Sequence, residues 1–283
     1  MEKNIKVIYH YHSGFSIEIN SILLIFDYYE NDENIPNIAK INEKILSAYN
    51  EIYVFVSHNS IKHFDPIIYT WKQKYPELPI TYIIPHDMPI GTKGKRIQPQ
   101  QNRIFSENVH VQAFKSTTEG VAYLVKVFET TVFHAGDLNL WHWREINSLQ
   151  EIEYAQELFH KCVQPILSQK IDICMFPTDP RQGPMYDAGG SFFILANQPR
   201  VFIPMHFQNR AEIVEIFKRR YNNNNTEILA LTMPGICAKL NFNNNFLNVH
   251  IIEPPKEKIK PIEKTILYEK NDPFINSDLP IDL

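Results

Sequence analysis

The side chains best equipped for chemistry gather in four short stretches. Val56-Ser57-His58-Asn59-Ser60-Ile61-Lys62-His63-Phe64-Asp65-Pro66 leaves an apolar run, turns, and enters helix-like spacing, with two imidazoles in the turn. Phe133-His134-Ala135-Gly136-Asp137-Leu138-Asn139 sets a histidine and an acid around a glycine turn. Asp179-Pro180-Arg181 and Pro204-Met205-His206-Phe207 complete the set. Imidazole and carboxylate are ligands for divalent cations and proton carriers near neutral pH. Asp27 closes the apolar run Leu24-Ile25-Phe26, and His142 stands between Trp141 and Trp143. Other chemistries find little support. No G-x-S-x-G elbow surrounds Ser60, Gly189-Gly190-Ser191 lacks the lysine and spacing of a phosphate loop, and His86-Asp87 reads as a Pro-flanked surface loop.

Short β-branched and aromatic runs predict strands over residues 5–11, 15–19 and 22–27, then 52–57 and 80–85. The run 52–57 is continuously apolar, as for a strand covered on both faces. Further strands are expected over 109–114, 121–127, 131–134, 171–176 and 200–205, with closing strands near Ile228 and Phe246. Helical spacing predicts helices over 36–49, 64–75, 148–167 and 211–221, with one near Ser191. Strands grouped early and then alternating with helices suggest layered sheets flanked by helices. The asparagine patches 222–225 and 241–245 read as polar turn tips.

Composition narrows the field. With 283 residues and 44% hydrophobic content, the chain can bury a large core. A net charge of −4 carries no electrostatic footprint for nucleic acid. Cys162, Cys174 and Cys237 are sparse, odd in number and form no C-x-x-C pair, which fits buried thiols in a reducing compartment. The N-terminal residues lack a signal-like apolar stretch and no run suffices for a membrane span, so the cytoplasm is expected. Residues 1–252 read as one domain, followed by a Pro/Lys/Glu-rich tail over 253–283.

The segment 56–66, in its strand-turn-helix setting, resembles the metal-binding loop of the metallo-β-lactamase fold, whose pattern is S-H-x-H-x-D-H. Further segments match in the same order. They are Tyr11-His12-Ser13-Gly14-Phe15 with Leu24-Ile25-Phe26-Asp27, the stretch 114–123, the Gly136-Asp137 turn, Asp179-Pro180-Arg181 and Pro204-Met205-His206-Phe207. The resemblance spans about residues 5 to 250 and is nearest to bacterial metal-dependent hydrolases. It implies an α/β fold of the four-layer αβ/βα sandwich type, two mixed sheets flanked by helices, with a pocket at a strand-end edge. It also implies that Asp137 and His58 are catalytic, and that His58, His63, Asp137 and His206 are the surviving ligands of a single ion. His134, Asp27, His142, Asp179 and Arg181 are then expected to support the site or meet substrate. His134 also reads as a satisfied buried histidine, and Asp179 with Arg181 as a structural ion pair.

The pattern departs where it matters. Ser60 replaces the second histidine, Lys62 replaces the acid, and Thr118, or Thr117 by a one-residue shift, stands where the third motif carries a ligand. At about 4 Å and an effective dielectric near 20, two unit charges interact by ~4 kcal/mol, so an ammonium beside a divalent ion costs ~8 kcal/mol. A two-metal centre is therefore disfavoured unless Lys62 turns to solvent or loses its proton; a further expectation is that Lys62 takes the vacated cation position and pairs with Asp137, without metal. Two functions follow. One is a catalytically impaired relative that binds an unidentified small molecule or protein partner through the old pocket, without metal. The other is a hydrolase of an ester, lactone, amide or phosphoester using one zinc-type ion and its bound water.

Overall fold

A computed structural model describes residues 3–33, 35–243 and 246–255. Among these, fifteen strands and five α-helices follow in chain order. The first sheet takes β1 (Lys3–Tyr11), β2 (Gly14–Ile19), β3 (Ile22–Phe26), β4 (Glu51–Phe55), β5 (Ile80–Pro85) and β6 (Lys95–Ile97). The second takes β7 (Asn102–Ser106), β8 (Val109–Lys115), β9 (Val121–Val127), β10 (Thr130–His134), β11 (Ile173–Pro177), β12 (Val201–Met205) and β13 (Glu227–Ile228). The last two strands, β14 (Cys237–Asn243) and β15 (Phe246–Ile252), return to the first sheet beside β1, giving the order β15-β14-β1-β2-β3-β4-β5-β6. The second sheet runs β13-β12-β11-β10-β9-β8-β7. Each sheet is antiparallel on one side and parallel on the other, from β3 to β6 in the first and from β10 to β13 in the second.

The apolar runs explain the layering. In β3, Ile22, Leu24 and Phe26 enter the core between the sheets, while Leu23 and Ile25 join a second cluster with Ile68 and Trp71 of α2 (Ile68–Lys74) and Leu46 of α1 (Glu43–Leu46). In β4, Tyr53 and Phe55 face inward and Ile52 and Val54 outward, so every second residue is needed apolar on each face. On the far side α3 (Leu149–Leu167) buries Phe159, Cys162, Val163 and Ile166, spaced along one helical face, and begins at a Ser148/Glu151 capping box. Phe193 of α4 (Ala188–Asn197) and Phe217 of α5 (Ala211–Tyr221) continue that layer. The result is the four-layer sandwich expected from the sequence.

Several local expectations need correction. The helix expected over 36–49 is only a 3-10 turn at Asn37–Ala39 and the four residues of α1, because the Asn42 side chain accepts from Ile45 N–H and starts a new helix in mid-segment. Asn241 and Asn243 lie in β14, not in a turn, since Asn241 pairs with Asn4 on one side and Asn248 on the other. The strands β6 and β7 were not expected from the sequence. Of the proposed tail, residues 256–283 lie outside the described residues. No helix among the described residues is long and apolar enough to cross a membrane.

Candidate metal centre

The reactive side chains sit just beyond strand ends on one edge of the sandwich. His12 follows β1, Asp27 follows β3, His58 and His63 follow β4, Asp137 follows β10, Asp179 follows β11 and His206 follows β12. Strand ends suit this purpose because a rigid sheet fixes the backbone while the loop chooses the side chain's direction. His12, Asp27 and His206 take left-handed backbone conformations, with φ of 54°, 42° and 62°. His and Asp tolerate that region better than most residues, and such conformers concentrate at functional sites.

Four bonds tie the two sheets together at this edge. His206 N–H donates to His12 O at 3.2 Å and Val121 N–H to Ser57 O at 2.9 Å. Tyr123 donates its hydroxyl to Val56 O at 2.8 Å, and His134 Nε2 meets Ser13 O at 2.8 Å. The Ser57-His58 backbone passes so close to Gly120 (φ 75°) that a Cβ there would lie 2.0 Å from Ser57 O. Glycine is required at that crossing.

At the centre is Asp137. Its Oδ2 lies 3.2 Å from His58 Nε2, and its Oδ1 lies 3.3 Å from His63 Nε2 and 3.5 Å from His206 Nε2. Behind two of these rings stand further acids. His63 Nδ1 meets Asp27 Oδ2 at 2.7 Å, and His206 Nδ1 meets Asp179 Oδ2 at 2.7 Å. Asp27 also accepts from Ser57 N–H and Oγ, both at 2.7 Å, and so holds the loop and the ring together. A carboxylate behind each imidazole fixes its tautomer and leaves Nε2 free as a ligand.

The two sets of distances mean different things. Contacts at 2.7 Å are charge-assisted hydrogen bonds. Spacings of 3.2–3.5 Å are long for such bonds. Each is near the roughly 3.3 Å that separates two ligand atoms of one tetrahedral zinc with bonds of 2.0–2.1 Å, and two triads, His58-His63-Asp137 and His12-His63-His206, have ligand atoms within 4.8 Å of one another. Asp137 Oδ1 is buried and has no hydrogen-bond partner. A divalent cation among these atoms would satisfy it, so the donor set fits.

Protonation follows the same geometry. Burial alone would raise the Asp137 carboxyl, but His63, His58 and His206 together outweigh it and hold it well below the usual carboxylate range. Burial likewise opposes Asp27, and His134 and His63 overcome it to lower the acid. Asp179 is also lowered, burial being outweighed by His206 and then Arg181. Burial disfavours charge on His58, yet Asp137 prevails and raises it. For His63 and His134 burial wins and their pKa values fall.

The other residues singled out from the sequence fall into place around this centre. His134 is saturated, with Nε2 on Ser13 O and Nδ1 accepting from Gly136 N–H, and its ring stacks on Phe26. Arg181 grips Asp179 through Nε and Nη2 at 2.8–3.2 Å. His142 is 3% exposed, with both ring nitrogens buried and unpartnered. Trp141 bonds Asp137 O through Nε1 at 2.7 Å and sets its ring edge-on to His206. Ser60 forms no side-chain hydrogen bond among the described residues; its carbonyl accepts from His63 and Phe64 N–H.

One expectation fails here. Lys62 is half-buried and makes no ion pair with Asp137 among the described residues, because three imidazoles already surround that acid. Of the two threonines offered for the third-motif position, Thr117 is the one that bonds to the Asp137 turn. Thr117 Oγ1 reaches Asp137 O at 3.3 Å and Asn139 O at 2.9 Å, whereas Thr118 Oγ1 turns back to Ser116. The sequence reading also missed His12 as a site residue. Its ring lies 4.0 Å from that of His206 and 5.1 Å from that of His63, centroid to centroid. The signal available was a histidine at the tip of the first hairpin, at a strand end like the others.

No protein-family model matches the sequence, and no curated protein does. Solved structures do match in fold. Igni18, a metallo hydrolase from Ignicoccus hospitalis, superposes with a TM-score of 0.59 at 15% identity, covering 85% of this chain and 99% of its own. The metallo-β-lactamase fold protein YhfI from Bacillus subtilis gives 0.55 at 13%, covering 84% and 100%. CmlA, a diiron β-hydroxylase from Streptomyces venezuelae, gives 0.52 at 11%; 85% of this chain matches 54% of that one. The chain therefore has the metallo-β-lactamase fold, one that carries metal-dependent hydrolases and, in CmlA, a diiron centre.

Proposed function

We propose that this chain is a metal-dependent hydrolase working with a single divalent cation of zinc type, held by His63, Asp137 and His206 with His58 beside them. The observation that carries this reading is the convergence of three Nε2 atoms on the Asp137 carboxylate at 3.2–3.5 Å. Such an ion supplies Lewis acidity toward a carbonyl or phosphoryl oxygen and makes water nucleophilic at neutral pH. The protein's part is orientation and proton handling. Asp27 and Asp179 hold the His63 and His206 rings, and Arg181 holds Asp179. His58, hydrogen-bonded to Ser57 Oγ through Nδ1 and facing Asp137 through Nε2, is placed to accept or return a proton. Ester, lactone, amide and phosphoester bonds are the substrate classes such a site serves.

The departures Ser60, Lys62 and Thr118, or Thr117 by a one-residue shift, favour a second reading, a metal-free pocket that binds a small molecule or protein. One comparison separates the two. Protein purified without chelator is assayed on generic ester, lactam and phosphodiester substrates, beside EDTA-treated protein and His206→Ala. Hydrolysis that disappears in both, and returns to the treated parent with zinc, supports the hydrolase. A folded parent with no metal, no hydrolysis and no response to chelator supports the binding pocket.

A further inference from the structure

The buried histidines of this edge can be sorted by what satisfies their ring nitrogens. His10 and His134 are saturated on both sides, by Ala39 O and Ser16 Oγ and by Ser13 O and Gly136 N–H. His63 and His206 each spend Nδ1 on a carboxylate and present Nε2 to Asp137. His12 is different. It is buried, 6% exposed, and the contacts its ring makes among the described residues are with other rings, those of Tyr11, His63 and His206. No hydrogen bond to its ring would have to be broken for a ligand to bind there. His142 is also unpaired but belongs to no group of three ligand-bearing side chains among the described residues.

Ligand atoms of His12, His63 and His206 all lie within 4.8 Å of one another. We infer that His12 is a direct metal ligand, entering from the β1–β2 turn to join His63 and His206 beside Asp137 and to replace the acid that the loop lacks at Lys62. The inference rests on the single-cation reading above and names one of its ligands. The backbone is built for it. The left-handed conformation of His12 turns the chain at the hairpin tip, and its carbonyl receives the His206 N–H, so the two rings are held in fixed register. A neutral imidazole in place of a carboxylate leaves the set with one fewer negative charge. The site should therefore hold one ion, less tightly than an all-acid loop would.

Zinc titration of EDTA-stripped full-length protein tests this, with cobalt(II) absorption as a second readout and circular dichroism to verify folding. The parent should bind one equivalent. His12→Ala should bind at least about 100-fold more weakly, the upper end of what losing an outer-sphere partner costs, with altered cobalt bands. His12→Asp should restore binding to within about tenfold of the parent, since a carboxylate is also a zinc ligand. If His12→Ala will not fold, His12→Gln takes its place with the same expected loss. A His12 variant with parental zinc affinity and an unchanged cobalt spectrum overturns the role of His12 and leaves the single-cation site standing. A parent that binds no zinc overturns both.

Discussion

His10 shows how far burial can move one group without any role in chemistry. Its ring lies behind the first hairpin, tied to Ala39 O and Ser16 Oγ. Burial outweighs the bond to Ala39 and lowers its pKa from 6.5 to about 4. Between those values the unfolded chain takes up a proton that the folded chain refuses, so stability falls as pH drops through the window. His10→Gln should flatten the plot of unfolding free energy against pH by up to about 1.4 kcal/mol per pH unit there. Urea unfolding at stepped pH measures this, and an unchanged slope would contradict it. The family resemblance pointed to His58, His63, Asp137 and His206, because each falls in a matching motif at the end of an apolar strand. It did not reveal His12, whose partners His63 and His206 are distant in the chain, nor the direction of Lys62. A lysine's charge is written in the sequence, but its rotamer is not.

Elements place these residues by their ends rather than their interiors. The loop after β4 can lie against β9 only because Gly120 has no side chain. Gly120→Ala should cost about 1–3 kcal/mol from the left-handed backbone alone, with the clash against Ser57 O added to it. Denaturant unfolding reads the loss, and a variant as stable as the parent would show that the crossing is looser than described. Long, periodic or fully apolar elements were legible: β3, β4, α3 and α5 stand close to where spacing put them. Short ones were not. In the segment 36–49 a capping asparagine overrode the apolar spacing. The edge strands β6 and β7 are too polar to announce themselves, and in β14 pairing on both flanks outweighed the low strand preference of asparagine.

At the scale of the molecule, the site belongs to neither sheet. His12, Asp27, His58 and His63 come from the first, Asp137, Asp179 and His206 from the second, and backbone bonds such as His206 N–H to His12 O close the seam. The order of motifs along the chain made the architecture readable, since each falls at a strand end of a known layered fold. What the order could not give was occupancy, which depends on distances between side chains of different sheets. Under the proposed reading those side chains hold one cation, and Ser60 and Lys62 leave a second without its ligands. The divalent metal content of full-length protein purified without chelator is the most direct test. One equivalent is expected in the parent, rising toward two in the double variant Ser60→His with Lys62→Asp. A parent carrying two equivalents, or none even after exposure to zinc, would contradict the account.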